Sequence, residues 1–156
     1  MNLKKIHTII QNEYQQELKL YAKYHNNYLN WLLHTICIPL ESLFFLIMIC
    51  YLFQSALIVT LISIIIAVYY LMLSRPHSLP ASISYIIMCY IASSVKTFKH
   101  VWIIAIFIET IAWSLQVFIG HYYLNRNKPS MGERITFNSI ILSVMLSWDS
   151  SIFIDS

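Results

Sequence analysis

The chain has 156 residues, of which 58% are apolar, 15% aromatic and 11% charged, with only 2 glycines, whereas an average soluble domain carries charge on roughly a quarter of its residues. This composition excludes intrinsic disorder, a disulfide scaffold and an ordinary soluble enzyme. The net charge of +3 comes from scattered cations, with no Lys/Arg block interleaved with aromatics, so nucleic acid is not an expected partner.

Residues 1–30 are polar and helix-prone. Ile6, Ile9, Ile10, Tyr14, Leu18 and Tyr21 recur there at helical spacing, which predicts an amphipathic interfacial helix. This segment holds no long apolar core and no cleavage signature, so no removable leader is expected. From Ser42 to Ser74 no side chain is charged, a run of 33 residues, and about 20 apolar residues are enough to cross a bilayer. Gln54-Ser55 divides this region into spans over 31–53 and 57–73. A breaker cluster at 74–80 precedes a shorter span at 81–95; Lys96 and Lys99 separate that from a fourth at 101–119. A polar loop, Asn125 to Arg134, leads to an apolar stretch at 135–148, too short to cross alone, which predicts a re-entrant or interface-lying helix.

The expected fold is therefore all-α: one membrane domain over 1–156, an integral membrane bundle of four transmembrane helices flanked by these two shorter elements. Lys4, Lys5, Lys19, Lys23, Arg75, Arg126, Lys128 and Arg134 fall on one face of this topology and Lys96 and Lys99 on the other. The positive-inside rule then puts both termini in the cytoplasm, in a bacterial inner membrane or, for a eukaryotic chain, the endoplasmic reticulum. No internal repeat is visible, which disfavours an inverted-repeat transporter. Cys37, Cys50 and Cys89 lie in apolar stretches without a CxxC partner and read as small buried hydrophobes.

The same topology brings histidines together. His25 and His34 flank the start of the first span, His121 the end of the fourth, and His77 lies on that face as well; His100 is opposite and His7 far out on the N-terminal helix. Imidazole is a favoured ligand for iron and zinc, so converging imidazoles form a candidate metal site. Nine residues on one helix rotate by about 900°, which would set His25 and His34 on opposite sides. A metal site therefore requires a break between them, and Asn26, Asn27 and Asn30 are weak helix formers that cap readily. Two carboxylates, Glu41 and Glu109, sit inside apolar spans, where an ionised group is costly. Glu41 falls about 10 Å deeper than His34 on the same helix face. Glu109, Trp113, Gln116 and Gly120 make a stripe expected to point into the bundle. The stripe reads either as interhelical hydrogen bonding or as a polar wall below the metal.

Two motifs carry a family resemblance. Tyr21-x-x-x-His25-x-Asn27-x-x-Asn30-x-x-x-His34, followed by Ile38-Pro39, resembles the opening signature of the 2-hydroxy fatty acid dioxygenase family. Trp113-x-x-Gln116-x-x-Gly120-His121 with Lys128-Pro129-Ser130 resembles its closing one, and Tyr70-Leu71-x-Leu73-Ser74 the end of its second span. The resemblance covers roughly 10–148. It implies an iron(II)-dependent dioxygenase that shortens 2-hydroxy fatty acids by one carbon; fungal members act in phytosphingosine breakdown at the endoplasmic reticulum. It further implies metal ligation by His25, His34 and His121, with Asn27, Asn30 and Gln116 as the motif amides that assist catalysis. Asn125 stands where the family usually has Glu, and the family's late Gly-Pro or Ala-Pro is absent.

Under this reading O2 is the co-substrate, and Lys23, Arg126 or Lys128 would neutralise the substrate carboxylate at headgroup level. The acyl tail would lie between the first and fourth spans. Two alternatives remain at this point: a zinc-dependent lipid hydrolase using the same histidines, and a non-catalytic bundle that binds lipids or partner helices.

Overall fold

A computed structural model of the protein describes residues 2–129 and 137–153. Arg134, Ser130 and the first two residues of the expected 135–148 stretch lie outside the described residues. The described residues are helical, with no strand among them. The order is α1 (Leu3–Tyr24), α2 (Tyr28–Phe53), α3 (Ala56–Met72), α4 (Ser78–Val95), α5 (Val101–Ser114) running on as a π-helix (Leu115–Asn125), then α6 (Phe137–Trp148) and a 3₁₀ turn (Ser150–Phe153).

Three of these are long and apolar enough to cross a membrane: Tyr28–Phe53, Ser78–Val95 and the continuous Val101–Asn125. Ala56–Met72 is apolar but shorter, at 17 residues. Their outward faces carry Leu57, Ile65, Ile87, Phe107 and Phe118, all exposed, an apolar surface compatible with a membrane.

Small residues set the packing between helices. Ser63 and Ala67 of α3 and Ala81, Ser82 and Ala92 of α4 are buried, allowing close backbone approach. The Ser82 hydroxyl donates to the Ala67 carbonyl at 2.9 Å. The breaker cluster was expected to run to Pro80, yet α4 starts at Ser78. Proline is tolerated in a first helical turn because its missing N–H would have no partner there.

Pro39 lies inside α2 and cannot bond the Thr35 carbonyl four residues back. The indole of Trp148 donates to that freed carbonyl at 3.2 Å, and the Thr35 hydroxyl donates to the Ser147 carbonyl at 2.7 Å. These two bonds dock α6 against α2. Leu142, Val144, Met145, Leu146 and Ser147 are all buried, so α6 is enclosed on more than one face by the bundle. Helix α1 is held from the other side, where the Tyr14 hydroxyl donates to Asp149 Oδ2 at 2.6 Å and the Gln11 amide donates to the Leu73 carbonyl.

Candidate metal centre

The break required between the first two histidines is present. Helix α1 ends at Tyr24, and His25 leaves helical geometry with φ −124° and ψ 43°. The chain re-enters a helix at Tyr28, where Asn27 Oδ1 accepts from the backbone N–H of Leu29 at 2.9 Å and of Asn30 at 3.3 Å, a side-chain N-cap. The reversal folds His25 back over the first turns of α2.

His121 arrives by a different device. Five residues on an α-helix turn by about 500°, which would point Gln116 and His121 well apart. From Leu115 the helix widens into i→i+5 bonding, and this larger turn carries Gln116, Gly120 and His121 inward together. The segment stops at Arg126, in left-handed conformation with φ 53°. Of the expected inward stripe, Gln116 and Gly120 are buried, and Glu109, Trp113 and Gln116 line one cavity with the histidines, Trp113 keeping 53% of its surface open.

The three imidazoles meet. Ring centroids lie 4.3 Å apart for His25 and His34, 4.9 Å for His25 and His121, and 5.0 Å for His34 and His121, each pair edge to face. One ligand nitrogen from each lies within 4.8 Å of the others, and all three residues are buried. His25 Nδ1 is 2.7 Å from the Tyr21 carbonyl and His34 Nδ1 is 2.9 Å from the Asn30 carbonyl. A carbonyl only accepts, so each Nδ1 carries the proton and each Nε2 keeps its lone pair, the arrangement that orients metal-binding histidines. His25 Nε2 and His121 Nδ1 are buried without a hydrogen-bond partner among the described residues. Burial, reinforced by the neighbouring His34, lowers the His25 pKa well below its ordinary 6.5, favouring the neutral form that binds metal. Orphaned, converging, neutral ring nitrogens fit a bound metal ion.

The remaining sequence candidates divide. Asn30 is fully buried; its amide donates to the Tyr24 carbonyl at 3.3 Å, and a Cβ at Gly120 would run into its oxygen and stand 3.2 Å from His34 Cε1. Gly120 is thus the residue that lets the π-helix approach α2. Gln116 donates to Glu41 Oε1 and, at 3.3 Å, to the Ala112 carbonyl. Lys23, Arg126 and Lys128 are exposed; the Lys23 ammonium lies 5.0 Å from the Tyr24 ring centroid. His77 does not join the centre. It stands 4.0 Å from Asp149, because the turn that carries it is drawn toward the C-terminal segment. Neither Glu41 nor Glu109 belongs to the donor cluster, which among the described residues is the three histidines.

Asn125, in the position where a Glu was expected, donates from its side chain to the Tyr24 carbonyl, which a carboxylate could not do. It ties the end of the π-helix to the end of α1. Tyr21 opens the first motif without a role read from it, and its ring stacks on His25 at 3.7 Å; Asp149 carries no motif, its one signal being a lone acid following an apolar stretch.

A cavity of about 450 Å³ opens beside the histidines, within the usual size for a small-molecule site. Its wall includes Glu41, Glu109 and Gln116 and continues over Phe45, Ile62, Ile66 and Leu146. The space therefore reaches α3 and α6 as well as the two helices expected to enclose an acyl tail.

No curated protein and no solved structure matches the chain. The model of one family, described as 2-hydroxy-palmitic acid dioxygenase Mpo1-like, matches residues 11–152, nearly the whole chain and both histidine motifs. The protein that brings these three imidazoles together belongs to the Mpo1-like family.

Proposed function

We propose that the protein is a membrane-embedded, iron(II)-dependent dioxygenase that shortens 2-hydroxy fatty acids by one carbon. The observation that carries this reading is the meeting of His25, His34 and His121, from three separate elements, with ring centroids within 5.0 Å in a chain of this family. Iron(II) held by these imidazoles would supply the O2-dependent oxidation of the 2-hydroxy acid. Overall, the 2-hydroxy acid and O2 become the acid one carbon shorter, CO2 and water; the electrons lost by the two carbons equal those O2 accepts, so no further reductant is needed.

The chain's own groups prepare this chemistry. The carbonyls of Tyr21 and Asn30 fix the tautomers of His25 and His34. Asn27 and Asn30 hold the α1–α2 reversal, and Gln116 with Glu41 forms a polar wall beside the reacting head group. Phe45, Ile62, Ile66 and Leu146 receive the acyl tail. Lys23, Arg126 and Lys128 draw the acid from the headgroup layer. In this reading α2 to α5 cross the membrane and both termini are cytoplasmic.

The test is product formation from 2-hydroxyhexadecanoate by the purified protein, with and without O2. Pentadecanoate formed only with O2 supports the dioxygenase. Release of acid from a lipid ester or amide without O2 points instead to a zinc hydrolase, which three imidazoles and water also suit.

A further inference from the structure

Tyr21 is 7% exposed and lies face to face with His25, the ring planes 11° from parallel. Its carbonyl is used by His25 Nδ1, but its hydroxyl is buried with no hydrogen-bond partner among the described residues. Buried hydroxyls are nearly always paired, and an unpaired one is a net cost that a phenylalanine of the same shape would not carry. Tyr21 is also part of the wall of the cavity that holds the three histidines, and its ring meets that of His34 edge to face at 6.5 Å.

Several other polar groups of the lining are already engaged. His25 and His34 turn their N–H groups to backbone carbonyls, Gln116 donates to Glu41 and Ala112, and the Tyr85 hydroxyl donates to Ser42. The Tyr21 O–H, beside the histidines, is an uncommitted donor, and hydrogen bonds from neutral donors to carboxylates are among the strong ones.

We propose that the Tyr21 hydroxyl binds the carboxylate of the 2-hydroxy acid at the histidine centre, and is the residue by which the cavity selects an acid head group. This rests on the dioxygenase reading above.

The experiment compares full-length wild type with Tyr21→Phe, both purified in detergent and metal-loaded, in binding 2-hydroxyhexadecanoate and hexadecane-1,2-diol, which keeps the 2-hydroxyl and lacks the carboxylate. Tyr21→Phe is expected to bind the acid about tenfold to a hundredfold more weakly, with the diol unchanged. Its metal content should equal that of wild type, and its ligand-free thermal midpoint should not be lower. Equal acid binding by the two proteins overturns the role of Tyr21 and leaves the dioxygenase reading standing. So does parallel loss of acid and diol, loss of metal, or a lowered midpoint, each of which assigns the hydroxyl to the protein's own structure. A wild type that binds neither compound overturns the dioxygenase reading, and this proposal with it.

Discussion

The imidazoles of His25 and His34 sit edge to face with centroids 4.3 Å apart, although nine residues of unbroken helix would have set them on opposite sides. The contact exists because the chain reverses at Asn27, whose side chain caps α2. Asn27→Ala is expected to destabilise the protein by about 0.5–2 kcal/mol, the usual cost of a lost N-cap, and to weaken metal binding together with stability. Denaturant unfolding in detergent and metal titration check both; Asn27→Ser should restore most of each.

Gly120 tests the approach of the π-helix. A methyl group there meets Asn30 Oδ1 and the His34 ring, and Asn30 cannot swing aside because its amide is bonded to Tyr24. Gly120→Ala should cost about 1–3 kcal/mol by overpacking and displace His34. Metal affinity should fall well beyond that of an alanine substitution on the exposed apolar face, such as Ile103→Ala.

Gln116 and Glu41 form one unit across α2 and the π-helix. Gln116→Leu leaves a half-buried carboxyl oxygen without its donor and is expected to cost about 1 kcal/mol. Adding Glu41→Leu should recover part of that loss, since removing both partners leaves no orphan. Additive losses in the double mutant would show that the two groups do not support each other.

The tether at Asp149 gives a pH dependence. Burial works to raise its pKa, but hydrogen bonds from Ser151 and Tyr14 and the nearby His77 outweigh it, so the carboxyl titrates below its ordinary 3.8. A lowered carboxylate contributes stability that is complete above the unfolded value and lost as pH falls through the folded one. Thermal unfolding between about pH 5 and pH 2 should therefore show an acid limb that Asp149→Asn flattens, with a lower midpoint for the variant at neutral pH.

The sequence made the helices legible because hydropathy and breakers mark them directly: Gln54-Ser55, Lys96 and Lys99 fall at helix ends. The reversal at Asn27 was legible too, since the residue types that weaken a helix there are those that cap one. The π-helix was not. Nothing in the run from Leu115 to Asn125 signals i→i+5 bonding, so α-helical spacing accounts for Glu109, Trp113 and Gln116 in the cavity wall but not for Gln116 and His121 sharing a face. Proline at position 80 looked like a breaker because its tolerance in a first turn depends on where the helix starts. The tether from Tyr14 to Asp149 joins residues 135 positions apart, and no local pattern encodes such a pairing.

The most direct test of the histidine centre is elemental analysis of the protein purified anaerobically in detergent, wild type beside His121→Ala. Wild type is expected to hold about one equivalent of iron per chain and the variant to lose it while remaining folded, because the three imidazoles hold the ion together. A wild type that stays metal-free after iron(II) is supplied, or a His121→Ala protein that keeps its iron, would contradict that expectation.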